Sequence, residues 1–159
     1  MRKVLAFIIV LCILGSLFIS SSQTYEQQSL IPTLENLLPS KPLETTLSAL
    51  SIPYWNKTIS VEERGYYHFM EFLLRKSAHF VLFGLLAAGI FLSLPSRFPR
   101  LLIASTITLL LACADETHQY FTGGRTATIR DVILDMSGAM TFLLIVQIFT
   151  WLRSRKKND

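Results

Sequence analysis

Four apolar runs fix what this chain can fold into: Val4 to Ile19, Ala78 to Leu94, Leu101 to Ala114, and a fourth from about Asp131 to Leu152. Lys or Arg flanks each of them: Arg2 and Lys3 before the first, Arg75 and Lys76 before the second, Arg100 before the third, Arg153 after the fourth. Lipid offers no water to backbone amides and carbonyls, so such runs must cross as helices. Only 16% of the residues are charged, against roughly 25% in soluble domains. A pI near 9.3 would suit a nucleic-acid partner, but the basic residues sit at the ends of apolar runs and form no separate face. Cys12 and Cys113 lie inside apolar runs and are expected to be small buried hydrophobes, with no redox framework.

The first run reads as a transmembrane helix or signal anchor. Ser20, Ser21 and Ser22 leave a cleaved signal peptide as the alternative. Residues 21–75 are polar and of mixed charge, with Pro32, Pro39, Pro42 and Pro53, and short helices are expected around Ser29–Leu38 and Leu43–Leu50. Tyr54 and Trp55 suit a headgroup level. Ser60 and Glu63 have capping-box spacing, which predicts a helix from Val61 on through Tyr66, Tyr67, Phe69 and Phe72. Gly84 with Ala88 or Ala87 lets helix backbones approach in lipid. Residues 95–100 form a tight turn. The loop holding Gly123 and Gly124 joins the last two spans.

Short loops rich in Lys and Arg stay in the cytoplasm. Arg2 and Lys3, Arg97 and Arg100, and Arg153, Arg155, Lys156 and Lys157 fall on one side of a four-span layout. Both termini are therefore expected in the cytoplasm, with residues 21–75 and 115–131 facing outward.

Depth ties the polar residues together. Counted from the cytoplasmic ends, Asp115 stands roughly 22 Å up the third helix, His79 roughly 24 Å up the second and Asp135 roughly 25 Å up the fourth. Polar groups at one depth on three helices predict one pocket, because each needs a partner away from water. Asp131 and Asp135 share a face, as do Asp115, His118 and Gln119, and Arg75 and His79. The pocket is expected to gather Asp115, Glu116, His118, Asp131 and Asp135 opposite His79, Arg75, Arg125 and Arg130. Asp-Glu-x-His-Gln is no metal-ligand signature, and nearby arginines oppose a cation, so no metal or other cofactor is expected. Arginine beside a glycine-rich turn suits a phosphate or carboxylate headgroup. Buried acids suit general acid–base catalysis. The purely structural alternative is an ion-pair network, Arg125 or Arg130 with Asp131 or Asp135. A proton-coupled carrier lacks matching polar groups in the cytoplasmic half of any span.

His79-Phe80 after Lys76, then Asp115-Glu116-x-x-Gln119-x-Phe121-x-x-x-Arg125, then Asp131 and Gly138, resembles the VanZ-like family of small bacterial membrane proteins over residues 70 to 150. The resemblance implies a cell-envelope membrane protein and no defined reaction. The family's namesake confers low-level resistance to the glycopeptide teicoplanin. By position, the implied polar residues are Lys76, His79, Asp115, Glu116, Gln119, Arg125 and Asp131. The chain departs in having Thr-Gly-Gly before Arg125, where the family often has a proline before the glycine. It also has Asp135 where asparagine is usual, which adds a negative charge at depth and bears against any role needing a neutral amide there.

The expected fold is all-α: a polytopic membrane protein with four transmembrane helices and a long extracytoplasmic loop after the first. Its parts are a first span or anchor (1–20), the loop leading into the second helix (21–75), a three-helix VanZ-like membrane core (76–152) and a basic cytoplasmic tail (153–159). The leading expectation is a non-catalytic envelope protein that binds a membrane lipid or lipid-linked cell-wall precursor in an outer-leaflet pocket formed by Lys76, His79, Asp115, Glu116, Gln119, Arg125, Asp131 and Asp135. The alternative is a membrane-embedded hydrolase or transferase acting through Asp115 or Glu116 with His79.

Overall fold

The computed structural model describes residues 2–54, 57–96, 98–122 and 128–156. Trp55, Arg97, Gly123, Gly124, Arg125 and Lys157 lie outside the described residues. The elements are helices α1 (Arg2–Ser21), α2 (Ile31–Leu37) and α3 (Glu44–Ser48), strands β1 (Ile52–Tyr54) and β2 (Lys57–Ile59), and helices α4 (Val61–Arg64), α5 (Tyr66–Ser93), α6 (Arg100–Thr122) and α7 (Ile129–Arg155). Four of the described helices, α1, α5, α6 and α7, are long and apolar enough to cross a membrane. The chain divides into two compact units, Met1–Tyr25 with Ala78–Asp159, and Glu26–Ser77.

The first unit is a helical bundle. Its core joins Val10, Ile13 and Leu17 of α1, Phe83, Leu86 and Phe91 of α5, Ala104 and Ala112 of α6, and Ala139 and Leu143 of α7. Glycines set the close approaches. A Cβ on Gly138 would run into the Phe80 carbonyl oxygen, one on Gly84 into the Phe142 ring, and one on Gly89 into Val10. The small residues of α5 thus serve two neighbours, α7 at Gly84 and α1 at Gly89. Gly138→Ala is expected to cost about 1–3 kcal/mol, because the obstacle is backbone and has to be pushed aside. Gly15, where a Cβ meets nothing within 4 Å, serves as the control. Thermal unfolding in nanodiscs should show a lower midpoint for Gly138→Ala and none of that loss for Gly15→Ala.

The two cysteines correct the expectation of burial: Cys12 and Cys113 are both exposed on the bundle. In lipid the outer face of a helix is as apolar as its core, so an apolar run does not say which face points inward.

Helix α1 is part of this core. Ala6, Val10, Ile13 and Leu17 are buried, and Ser21, in its last turn, is 1% exposed. A peptidase needs its cleavage segment extended and accessible, so the purified protein is expected to keep α1. An intact mass short by the length of this helix would contradict that packing.

The second unit packs Ile59, Val61, Tyr66 and Phe69 into a small core. The β1–β2 hairpin is antiparallel, pairing Ile52 with Ile59 and Tyr54 with Lys57. Ser60 caps α4 as its spacing predicts, its Oγ accepting from the Glu63 amide at 3.2 Å. The helix does not run on as expected. It stops at Arg64 because Gly65 takes φ +81°, and α5 starts afresh at Tyr66. Lys41 and Leu43 also have positive φ. Their turn is held from α5, where the Tyr66 hydroxyl donates to the Pro42 carbonyl at 2.8 Å and the Tyr67 hydroxyl to the Leu38 carbonyl at 3.1 Å.

Arg75 corrects another expectation. It bonds within this unit, to Glu71 at 2.8 Å and to the Gln28 carbonyl and side chain at 2.8 and 2.9 Å. Glu71 is buried and also accepts from the Leu30 amide at 2.8 Å. A buried carboxylate needs such partners, and the loop arriving at Gln28–Leu30 supplies them. Lys76 donates to the Tyr54 hydroxyl at 3.1 Å, with its ammonium over the Tyr54 and Phe72 rings.

Candidate functional site

Helix α6 does not end where its apolar run ends. It continues through Asp115 and Glu116 to Thr122, and so carries a polar turn beyond the last apolar residues. Successive helical residues point about 100° apart, which sends these two acids to different neighbours.

Asp115 faces α1. Its Oδ1 accepts from the Ser21 hydroxyl at 2.5 Å and its Oδ2 from the Gln119 amide at 2.7 Å. Thr122, one turn further, donates to the Ser21 carbonyl at 2.8 Å. The last of these satisfies the Ser21 carbonyl at the end of α1, where helix carbonyls have no partner within their own helix. His118 lies beside them, with Nε2 3.4 Å from the Ser22 hydroxyl and its ring 4.9 Å from that of Phe18.

Glu116 faces α7. It is buried, and its Oε1 accepts from the Thr128 backbone amide at 2.5 Å. Thr128 is the N-cap of α7, its hydroxyl accepting from the Asp131 amide at 3.2 Å. Glu116 and Asp131 therefore stand at the positive end of the α7 dipole, where an acid is favoured.

One turn deeper, Asp135 is 1% exposed and has its Oδ1 3.3 Å from His79 Nδ1 on α5. Asp115 and Asp131 lie within electrostatic reach of its carboxylate. The shared depth inferred for His79 and Asp135 is thus met by direct contact, and Asp115 belongs to the same layer. Among the described residues no three His, Cys, Asp or Glu side chains converge as a metal site.

A lateral groove opens beside this layer, between α6 and α7. Its volume is about 790 Å³, and its lining runs from Glu116, Thr117 and Thr128 to Leu109, Met136 and Met140. That is within the range of small-molecule sites.

The site differs from its sequence-level outline in its partners. His79, Asp115, Glu116, Gln119, Asp131 and Asp135 all come to one end of the bundle. Arg75 and Lys76 have the partners given above in the other compact unit, and Arg125 lies outside the described residues. Asp115 and Glu116 face different helices. Ser21 and Thr128 are additions. Thr128 precedes Asp131 by three residues, a capping spacing that could have marked it. Ser21 carried no such signal.

The family model for VanZ/LLP1 matches residues 6–150. The chain belongs to the VanZ/LLP1 family. The match starts within α1 and ends within α7, wider than the 70–150 carrying the sequence resemblance, so the family pattern includes the first helix. No curated protein and no solved structure matches the chain. As a VanZ/LLP1 member with four apolar helices, the protein is a multi-pass membrane protein.

Proposed function

We propose that this VanZ/LLP1 protein sits in the bacterial plasma membrane with both termini in the cytoplasm, and holds the headgroup of a membrane lipid or lipid-linked cell-wall precursor at the polar end of its bundle. It does so without catalysis. Glu116, Asp131 and His79 meet the headgroup, and Arg125, three positions before Thr128 in the sequence, is the residue to supply a positive charge. Asp115, Gln119 and Asp135 fix the helices that carry them. The observation that carries this proposal is the layer of ionisable groups from α5, α6 and α7 at one end, with an apolar groove opening beside it. Ionisable groups at the edge of hydrocarbon are costly and mark sites by default.

A hydrolase or transferase acting through Asp115 draws less support, because both oxygens of Asp115 already accept from the protein's own donors.

Occupying a precursor at the outer surface would also give low-level glycopeptide resistance, because teicoplanin and the protein would compete for one lipid-linked target. In a teicoplanin-sensitive host, expression should raise the inhibitory concentration, and Arg125→Ala should return it to that of cells lacking the protein. Full protection by an Arg125→Ala variant that inserts normally would remove the basis for the headgroup role of that arginine.

A further inference from the structure

The groove between α6 and α7 has features that the polar layer does not explain. It starts at Glu116, Thr117 and Thr128 and ends at Leu109 and Met140. From Ile129 to Met140 the helix rises about 16 Å, close to half of a ~30 Å hydrocarbon core. The groove is therefore one leaflet long. A transmembrane helix from a second copy would need a seam through both leaflets, and this one stops near the middle.

Its lining is dry. The Ser137 hydroxyl donates to the Ile133 carbonyl at 2.7 Å and the Thr117 hydroxyl to the Cys113 carbonyl at 2.7 Å, each within its own helix. Apart from the Cys113 thiol, what remains below Glu116 and Thr128 is hydrocarbon and thioether, from Leu109, Ile129, Val132, Ile133, Met136 and Met140. Methionine adapts to an irregular, moving guest at little cost. The one acidic lining residue, Glu116, stands at the upper end, where a headgroup would lie.

We propose that this groove seats one hydrocarbon chain of an outer-leaflet lipid whose headgroup donates hydrogen bonds to Glu116. The assignment rests on the headgroup function above and adds to it the chain, its path and the donor character of the head. Phosphatidylethanolamine has such donors on its ammonium, and phosphatidylcholine has none.

The test uses full-length protein with Trp55→Phe and Trp151→Phe, reconstituted in phosphatidylcholine vesicles containing increasing fractions of phosphatidylethanolamine with dibrominated chains. Met140→Trp reports from the lower end of the groove. Leu110→Trp, at an exposed position on α6 outside it, reports from ordinary lipid-facing surface. Fluorescence at position 140 should be half-quenched at a brominated fraction about three- to tenfold lower than at position 110, the discrimination one net hydrogen bond supplies. Adding Glu116→Gln should move the position-140 curve toward the control. Identical curves at the two positions in the unaltered Glu116 background would overturn the groove assignment. So would a low half-point when brominated phosphatidylcholine replaces phosphatidylethanolamine, because the head would then play no part. Neither result touches the headgroup function, which is read separately from lipids retained by the wild-type protein.

Discussion

Asp115→Ala should loosen the end of α1 and lower stability by about 2–5 kcal/mol, since two donors lose their acceptor and each buried unsatisfied group costs about 1–3 kcal/mol. Both donors are buried: Ser21 is 1% exposed and Gln119 8%. The Gln119 amide keeps a longer contact, 3.4 Å to the Ser21 hydroxyl, so the full sum for two lost acceptors is not reached. Interhelical bonds in membranes average only about 0.6 kcal/mol by double-mutant cycles. The larger figure applies here because the acceptor is a carboxylate and two bonds fail together. Asp115→Asn keeps one acceptor oxygen and should fall between wild type and Asp115→Ala. A cycle of Asp115→Ala with Ser21→Ala, read as thermal midpoints in nanodiscs, should be strongly non-additive. Additive losses would mean that the two side chains do not hold each other.

Asp135→Ala is the second large effect. Removing one partner of a buried polar contact costs about 1–3 kcal/mol, and more where a charge is left unpaired. The cost is not the largest possible, because the His79 side chain is 25% exposed and only partly enclosed by the protein. Asp135→Asn should behave oppositely. It keeps an oxygen facing His79 Nδ1 and removes a charge from a site that is almost fully buried, where a neutral amide is cheaper to place than a carboxylate. The expected order of midpoints is Asp135→Asn equal to or above wild type, with Asp135→Ala well below both. An asparagine as damaging as alanine would show that His79 needs the negative charge and not merely an acceptor.

The four spans could be read from the sequence because hydropathy and bilayer thickness dictate them almost alone. So could the contact between His79 and Asp135, since helical rise converts sequence distance into depth and two groups at one depth in lipid seek each other. The Ser60 cap was equally local. What could not be read depended on partners far along the chain. Ser21 is 94 positions from Asp115, and three consecutive serines looked like a cleavage site as readily as an anchoring one. Asp115 and Glu116 are adjacent in the sequence, yet helical geometry sends one to α1 and the other to α7. Arg75 shares a helix face with His79, but its hydrogen-bonding partners came from a loop whose path no periodicity predicts. Gly65 is a break in what patterning alone would draw as one helix.

The most direct measurement of the headgroup function is mass spectrometry of lipids retained by purified protein after reconstitution with total envelope lipids, comparing wild type with Glu116→Gln. Wild type should retain one lipid class in its unaltered form, and Glu116→Gln should lose it while remaining folded. Retention of the same lipid profile by both proteins would contradict a headgroup site at Glu116. Conversion of that lipid by wild type, with Glu116→Gln holding it unconverted, would contradict the non-catalytic role and make the protein an enzyme.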